Sequence, residues 1–474
     1  MKRYIYLFKN MGLLTISSFG SKLLSFFLIP LYTSILSTKG YGIYDFFNTT
    51  IILLIPILTS GIIESVLRFP LTDRKNKLQI YTIGMQLLLK GFVILVFVWF
   101  VNYIFSFSLI FKQYGVYFLL MYLTTAVSQL LQSYARGIDK FSALAISGVI
   151  STIIIVSLNI YFLVYLHMAL AGYFLANIIG MTLTILYLLV ALNLLKVNIL
   201  KKVHNIELKK QMLSYSKPTI ANSIGWWVNS ASDRYIIIGM FGLAVNGVYS
   251  VGYKIPSIMT AFQNIFSQAW SVSAVDEFDP NDEHNFYGNI YKMTNFTMVL
   301  ICSLLIMATK LIASFLYQKQ FYSAWKYVPF LLISVLFGSL IGVLGGVFIA
   351  VKDSKELAFS TIIGAVVNVV TGIAFAFVMG PLGTALGTAV SYVVVWIIRI
   401  FDVKKYMRIS IRIYRDSISY ILLFIQSICL LVIGSNVMNY SIQLIFVLSL
   451  LILNSEEIGL IIKALNGKNF KQGK

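Results

Sequence analysis

The stretch MGLLTISSFGSKLLSFFLIPLYTSIL, residues 11–36, carries a single charged side chain, Lys22. A helix of about 20 apolar residues crosses the hydrocarbon core of a bilayer, so this stretch is long enough to span a membrane. It is too long for the apolar core of a signal peptide and lacks a clean small-residue cleavage site, so we expect it to be retained. The lysine in its middle requires an explanation.

The rest of the chain has the same apolar character. Of the 474 residues, 59% are hydrophobic and 11% are charged, and the mean hydropathy is +0.85. A water-soluble domain of this composition would have no place for its apolar surface. Similar runs recur along the chain and predict fourteen transmembrane helices, centred near residues 23, 55, 91, 122, 154, 182, 228, 259, 301, 338, 368, 392, 424 and 450. We therefore predict an all-α polytopic membrane protein.

The basic residues indicate the orientation of these helices. With a cytoplasmic N terminus, 28 of the 37 lysine and arginine residues lie in cytoplasmic segments and 4 lie in outside segments. Cytoplasmic loops of membrane proteins carry the excess of basic residues, so this asymmetry favours fourteen crossings with both termini in the cytoplasm. The net charge of +20 is then mostly a topology signal, together with attraction to anionic lipid. We expect no nucleic-acid partner.

Two short motifs occur in both halves of the chain. GYGIYD at 40–45 is loosely repeated as VNGVYS at 245–250, and FSALAISG at 141–148 is repeated as LAFSTIIG at 357–364. The simplest interpretation is an internal repeat of six helices. Because six is an even number, both halves would enter the membrane in the same direction, as parallel repeats.

The repeat predicts three parts of the chain. Residues 1–205 form an N-terminal six-helix bundle, residues 206–408 form a second six-helix bundle, and residues 409–474 form two additional helices and a cytoplasmic tail. In such an arrangement the substrate path lies between the two halves.

Polar and ionisable side chains in the predicted spans concentrate on the first two helices of each half. An ionisable group at mid-bilayer costs roughly 2.5–3.5 kcal/mol on insertion scales, so it usually faces protein or water. The four helices carry these groups at helical spacing: Thr15, Ser18, Lys22 and Ser25; Ser60, Glu64 and Arg68; Asn222, Trp226, Asn229 and Asp233, with Arg234 beside them; and Ser250, Lys254, Ser257, Asn264 and Gln268. They predict one water-filled, net-cationic cavity between the halves.

Each charge also has a plainer interpretation. Lys22 and Lys254 are long enough to reach a membrane surface with their ammonium groups. Arg234 can serve as a structural strut, paired with the neighbouring acid or with another helix. Arg68 can be a topology charge, and Glu64 can neutralise it from one turn away.

Several segments resemble a known family of membrane proteins. These are SxxDRYIIIGMFG…NGVYSVGYK at 230–254, GIIESVLRF at 61–69, QLLQSYARG at 129–137, and GAVVNVVTGIAFAFVMGPLGTALGTAVSY at 364–392, a helix–turn–helix with small residues suited to close packing. The chain is similar over essentially its whole length to polysaccharide flippases of the multidrug/oligosaccharidyl-lipid/polysaccharide exporter superfamily. It resembles in particular the bacterial O-antigen and capsule repeat-unit flippases.

The resemblance implies two six-helix bundles that rock between inward-open and outward-open states in the bacterial cytoplasmic membrane. It implies an undecaprenyl-diphosphate-linked oligosaccharide as cargo, carried from the cytoplasmic to the outer leaflet. The partners it implies are this lipid-linked glycan, membrane lipids, and a polymerase or other polysaccharide-assembly proteins. The charge pattern agrees with an anionic cargo, because arginine grips phosphate bidentately and lysine supplies a point charge.

The cationic residues are assigned to the diphosphate. We expect Arg234, Lys22 and Lys254 to hold it, and Arg68 and Arg136 to attract it at the cytoplasmic mouth. Contacts with the sugars, through hydrogen bonds and ring stacking, are assigned to a polar and aromatic set: Asn222, Trp226, Trp227, Asn229, Asn264 and Gln268.

Coupling to a proton or a sodium ion is assigned to Asp233 or Glu64. No other cofactor is expected. The two cysteines, Cys302 and Cys429, lie in apolar runs and suggest neither a disulfide framework nor a metal site. The three histidines show no ligand spacing, so metal chemistry is not expected.

Other functions remain as alternatives. A lipid II flippase is a near neighbour that the sequence does not separate from the first interpretation. A drug/cation antiporter of the same superfamily should have a cavity dominated by acids, whereas basic residues outnumber acids in these stripes. A membrane polymerase or ligase usually needs a large outside loop or catalytic carboxylates at the membrane surface, and the outside loops here are short. We therefore expect a transporter and not an enzyme.

Overall fold

The structure, a computed structural model, describes residues 26–199, 205–283, 285–351, 353–434 and 436–457. All regular elements within these residues are helical, so the prediction of an all-α protein is confirmed. The α-helices, in chain order, are α1 Ile29–Ile35, α2 Thr38–Leu58, α3 Ile62–Thr72, α4 Lys77–Phe105, α5 Leu109–Gly137, α6 Phe141–Ile160, α7 Ala169–Ala191, α8 Ile206–Phe241, α9 Leu243–Gly252, α10 Pro256–Asp276, α11 Phe286–Leu316, α12 Val328–Ala350, α13 Ser354–Met379, α14 Pro381–Val403, α15 Ile413–Val432 and α16 Asn436–Leu453. A π-helical turn, Tyr161–Tyr165, extends α6, and a 3₁₀ segment, Lys319–Lys326, precedes α12.

Ten of the described helices are long and apolar enough to cross a membrane: α2, α4, α5, α6 with its π turn, α7, α11, α12, α13, α14 and α15. They correspond to ten of the fourteen predicted spans. The spans predicted near residues 228, 259 and 450 fall on α8, α10 and α16. Helices α8 and α10 are more polar than the ten spans, and the apolar part of α16 is shorter. Most of the first predicted span lies outside the described residues.

The exposed faces of the spans are apolar. Val93, Phe97 and Phe100 on α4, and Phe377 and Val378 on α13, are all more than half exposed. Side chains of this kind suit contact with lipid, while the helical hydrogen bonds satisfy the backbone groups that no water reaches in hydrocarbon.

The chain divides into two compact units, Met1–Trp227 and Val228–Lys474. Within the first unit, α3 packs against α4 and α5, and α6 packs against α7. Within the second, α13 and α14 form a hairpin that packs on α12, while α15 and α16 pack on each other and on α11. The predicted division after residues 205 and 408 stays a prediction.

Small residues bring α13 and α14 into close contact. A Cβ on Gly383 would lie 2.0 Å from the carbonyl oxygen of Phe375, and a Cβ on Gly387 would lie 2.7 Å from the nitrogen of Gly372. The Thr371 hydroxyl donates to the Gly387 carbonyl at 3.1 Å. The close packing predicted from residues 364–392 is confirmed, since only glycine leaves room for this approach of two backbones.

The second predicted span is not one continuous helix. Helix α2 ends at Leu58, and Ser60 and Gly61 have φ angles of +55° and +67° before α3 begins. The prediction that Ser60, Glu64 and Arg68 share a face at steps of four is therefore wrong at Ser60. Glu64 and Arg68 keep that spacing within α3.

The interruption fits a close contact with α8. A Cβ on Gly61 would lie 2.7 Å from the carbonyl oxygen of Ser216. Four residues further along, the Ser65 hydroxyl donates to the Met212 carbonyl at 2.6 Å. The backbone remains satisfied through the break, because the Gly61 N–H donates to the Pro56 carbonyl at 2.8 Å. Glycine is suited to this position because it adopts positive φ without strain.

The eighth predicted span is also interrupted. Helix α9 ends at Gly252 and α10 begins at Pro256, which has no N–H to donate. Between them the chain tightens, and the Lys254 N–H donates to the Val251 carbonyl three residues back, at 2.9 Å. The prediction of one even polar stripe over residues 250–268 is therefore wrong at this turn.

We predict that Gly61→Ala destabilises the protein. A left-handed conformation costs an L-residue about 1–2 kcal/mol, and the added methyl group meets the Ser216 carbonyl. The apparent melting temperature of the detergent-purified protein should fall. Gly239→Ala is the matched control on α8, because its Cβ meets no atom within 4 Å and alanine is the better helix former. Equal melting temperatures for the two variants would contradict the prediction.

Candidate functional site

Asp233 on α8 is a buried carboxylate held by hydroxyl groups. Asp233 is only 2% exposed. Oδ2 accepts hydrogen bonds from the Tyr249 hydroxyl, at 2.9 Å, and from the Tyr253 hydroxyl, while Oδ1 accepts from the Arg234 backbone N–H at 2.8 Å. Among the described residues, no lysine or arginine forms an ion pair with this carboxylate. Hydroxyl donors therefore replace the water that a buried charge loses.

Arg234 lies beside this carboxylate and is oriented by one of the same tyrosines. Its guanidinium carbon is 4.5 Å from the centroid of the Tyr253 ring, and Nη1 donates to the Ser230 carbonyl at 3.3 Å. The side chain is half-buried. Consecutive residues of a helix point about 100° apart. Arg234 therefore contacts an aromatic face, and no ion pair joins it to Asp233 among the described residues.

A buried polar cluster joins α8 to α13 and α14. The Asn229 side chain donates to the Thr361 carbonyl at 2.9 Å. The Asn368 side chain donates to the Asn229 carbonyl and to the Ser391 hydroxyl, both at 3.3 Å, and accepts from the Ser232 hydroxyl at 3.3 Å. The amide of Asn229 is therefore occupied with contacts between helices. Its assignment to sugar binding stays a prediction.

The remaining predicted residues of this half, Lys254, Asn264 and Gln268, lie in the turn between α9 and α10 and along α10. Lys254 is half-buried in that turn, and within the described part of the chain its ammonium group has no hydrogen bond or ion pair. Asn264 is exposed on α10. The side chain of Gln268 and the whole of Lys22 lie outside the described residues.

The N-terminal part of α8 presents an aromatic and an amide side chain on one face. Asn222 is exposed, and Trp226, four residues later, is 51% exposed. Positions four apart on a helix are neighbours on its surface. Trp227 points elsewhere and donates its indole N–H to the Thr49 carbonyl of α2 at 2.9 Å.

The two arginines expected at the cytoplasmic mouth lie next to a single helix contact in the first unit. Helix α3 packs against the end of α5, where a Cβ on Gly137 would lie 2.7 Å from the carbonyl oxygen of Leu67. Arg68 and Arg136 are the chain neighbours of this contact, and both are exposed. Glu64 is exposed one turn before Arg68. The fold therefore brings these two cations to one end of the unit.

The sequence analysis did not identify the residues that organise Asp233. Tyr249 and Tyr253 both lie in the quoted segment NGVYSVGYK, four residues apart, so the spacing was a usable signal. Asn368 is a lone amide in the apolar helix α13, and that isolation was a second signal.

Arg399 is one of the 28 basic residues that the predicted topology places in cytoplasmic segments, but in the structure it is buried, at 3% exposure. Its Nε donates to the Ser360 hydroxyl at 3.1 Å, and Nη1 donates to the Ile341 carbonyl at 2.8 Å. Neutral acceptors on α12 and α13 thus replace solvent around this cation. A count of basic residues could not separate a buried arginine from a loop arginine.

This arrangement places a group that can bind a cation beside a group that can bind an anion. A buried carboxylate surrounded by hydroxyl groups can take up a proton or a monovalent cation. The adjacent guanidinium can bind a phosphate oxygen. Within the described residues, no group of three or more His, Cys, Asp and Glu side chains could hold a metal ion.

The chain matches a protein-family model over more than half of its length. The model, described as polysaccharide biosynthesis protein, matches residues 7–271. No curated protein sequence matches the chain.

Solved structures share the fold at low sequence identity. A structure titled "Lipid II flippase MurJ, inward closed conformation" has a TM-score of 0.70 and 15% identity, and the match covers 96% of this chain and 99% of that chain. An inward-facing multidrug resistance MATE family transporter of the MOP superfamily has a TM-score of 0.66 and 12% identity, with 84% and 95% of the two chains covered. These similarities confirm the predicted fold of about fourteen helices.

We predict that Tyr253→Phe lowers the thermal stability of the protein. The substitution keeps the aromatic ring beside Arg234. The change removes a hydroxyl donor from the buried Asp233 carboxylate, and such a loss costs about 1–3 kcal/mol. Thermal unfolding in detergent checks this. Tyr414→Phe removes a hydroxyl from a side chain that is 90% exposed, and it should leave the melting temperature unchanged. A Tyr253→Phe protein as stable as this control would refute the assigned hydrogen bond.

Proposed function

This chain belongs to the polysaccharide biosynthesis protein family, and from that premise we propose that it is a flippase for undecaprenyl-diphosphate-linked oligosaccharide repeat units. It carries them from the cytoplasmic to the outer leaflet by alternating access through a cationic central cavity. We place it in the bacterial cytoplasmic membrane with both termini in the cytoplasm. The family membership agrees with the resemblance seen in the sequence motifs.

The observation that carries the proposal is the position of Arg234. The guanidinium on α8 lies over the Tyr253 ring, beside a buried acid that accepts hydrogen bonds from tyrosine hydroxyl groups. The neighbouring acid is therefore engaged by hydroxyl groups, and the guanidinium adds a positive charge to this part of α8. An anionic diphosphate is the part of a lipid-linked sugar that such a charge recognises, through charge-assisted hydrogen bonds.

Arg68 and Arg136 supply the first attraction for the headgroup. Both are exposed beside the contact between α3 and α5. Exposed charges raise the local concentration of an oppositely charged ligand more than they hold it. We therefore assign these residues to capture at the cytoplasmic side, and Arg234, with Lys22 and Lys254, to binding.

The sugars are assigned to the N-terminal part of α8. Trp226 presents a half-exposed indole, and Asn222 presents an amide one turn earlier on the same face. A flat aromatic ring with a nearby hydrogen-bonding group suits the apolar face and the hydroxyl edge of a sugar. Neither residue type selects one sugar, so this surface fits a range of repeat units.

Asp233 is the proposed coupling residue. Its carboxylate is buried, carries no ion pair among the described residues, and accepts hydrogen bonds from two tyrosine hydroxyl groups. Uptake of a proton or a sodium ion would change the charge beside Arg234 by one unit. Such a change alters the affinity of the arginine for a diphosphate, and this links ion uptake to release of the cargo.

A lipid II flippase is the nearest alternative, because its cargo carries the same diphosphate on the same kind of lipid. A cation exporter fits less well, since its cargo would meet the guanidinium of Arg234. A polymerase or ligase would need reacting groups at the outer membrane surface. Analysis of lipid-linked intermediates separates these functions.

We predict that deletion of the gene leads to accumulation of complete, unpolymerised repeat units on the cytoplasmic leaflet. The measurement is extraction of lipid-linked sugars, combined with a leaflet-specific label. Accumulated lipid II would support the lipid II flippase, and normal glycan with altered drug efflux would support an exporter. Single units that reach the outer face would indicate a polymerase.

We also predict that Arg234→Ala reduces transport about tenfold to a hundredfold, because a charge-assisted hydrogen bond contributes about 1.5–3 kcal/mol. Arg234→Lys should keep part of the activity, since it retains the charge and loses the bidentate grip. The control is Arg74→Ala, which removes an arginine that is 71% exposed in a surface ion pair with Asp139. Full activity of both Arg234 variants would remove this residue from the binding site.

A further inference from the structure

Two buried carboxylates contact one arginine, whose side chain is 13% exposed, at one end of α15. Asp416 is fully buried and Glu457 is 1% exposed. Arg415 donates from Nη2 to Asp416 Oδ1 at 2.9 Å and from Nε to the same oxygen at 3.2 Å. Its Nη1 donates to Glu457 Oε1. One guanidinium therefore connects α15 to a residue that follows the end of α16.

This cluster has one more negative charge than positive charge. A buried charge without compensation is costly, and breaking the balance of a buried ion pair destabilises a protein strongly. The second oxygen of each acid also has no partner, because Asp416 Oδ2 and Glu457 Oε2 are buried without a hydrogen bond. Two acceptor atoms and one unit of charge are thus left uncompensated in the same place.

The surrounding groups do not supply the missing charge. Arg412 pairs with the exposed Glu456, one residue before Glu457. Tyr291 on α11 and Tyr420 on α15 interact electrostatically with Asp416. The Tyr420 hydroxyl, however, donates to Asn295 Oδ1 at 2.8 Å. Within the described residues, these are the titratable and charged groups that face the two acids, together with Arg415.

We propose that the cluster of Asp416, Glu457 and Arg415 holds one bound proton at neutral pH, and that this proton fastens α16 to α15. A single proton solves both problems, since it cancels the surplus charge and turns one of the two unpartnered oxygens into a donor. Atoms and charges balance, because one carboxylate becomes a carboxylic acid and the other remains ionised on Arg415. The site lies outside the proposed cargo-binding residues and does not depend on them.

A proton fits this site better than a sodium ion does. Sodium would need several oxygen ligands, and it would lie against the Arg415 guanidinium, which repels it in a medium of low dielectric constant. A proton needs only one acceptor atom, and each acid has a buried oxygen without a hydrogen bond.

The proposal is tested by infrared spectroscopy of the purified full-length protein at neutral pH. A protonated carboxyl group gives a C=O stretching band that an ionised carboxylate lacks. We expect the wild type to show this band. In Glu457→Gln the band should lose the intensity that corresponds to one protonated carboxyl group. Asp416→Asn, which alters the other acid, should lose the same intensity. Glu456→Gln is the matched control in the neighbouring exposed ion pair and should keep the wild-type band.

Thermal stability across pH provides a second measurement. The folded protein holds one proton more than the unfolded chain, so the wild-type melting temperature should fall as the pH rises above neutral. Glu457→Gln, which carries its hydrogen permanently, should flatten this dependence, and Glu456→Gln should not. Identical infrared bands and pH profiles for wild type and Glu457→Gln would overturn the proposal. Stabilisation of the wild type by sodium at constant pH, absent in Glu457→Gln, would also overturn it.

Discussion

Every backbone N–H and C=O group in the membrane-spanning part of this protein must find a hydrogen-bond partner without water, and the rest of the structure depends on this constraint. In hydrocarbon an unpaired N–H or C=O costs several kcal/mol, so a helix can be interrupted only where other bonds replace the lost ones. At Ser60 and Gly61 the chain leaves the helical conformation, yet the Gly61 N–H reaches the Pro56 carbonyl and α8 covers the break. The turn before Pro256 is satisfied by bonds that reach back three residues. Both interruptions lie near predicted site residues. Side chains on either side of each interruption therefore no longer follow one regular helical spacing.

The same requirement shapes the buried charges. Asp233 accepts from two tyrosine hydroxyl groups, and Arg399 donates to a serine hydroxyl and a main-chain carbonyl. Neutral partners of this kind stabilise a charge without cancelling it. The Arg415 cluster is different, because its guanidinium is shared by two acids.

Much of the fold follows from composition and spacing. Apolar length predicted ten helices that the structure shows to be long enough to cross a membrane, and the small residues of 364–392 predicted the tight α13–α14 hairpin. The motifs around Asp233 and Arg234 indicated the family whose model matches the chain. These features are local, because helix formation and glycine contacts depend on residues close together in sequence. The stripe through Ser60 could not be predicted, since its break fits a contact with Ser216, far along the chain.

By itself the sequence determined that this protein is a bundle of apolar helices with a few buried charges, because hydropathy and helical period act over one or two turns. Only the tertiary structure decided what each charge contacts. Asp233 and Arg234 are adjacent in the chain and could have paired, but the helix directs them apart, and tyrosines from the next helical segment reach both. Arg399 resembled a loop charge until α12 and α13 enclosed it. Partners of a buried charge come from distant parts of the chain, so their identity depends on packing that no local pattern contains.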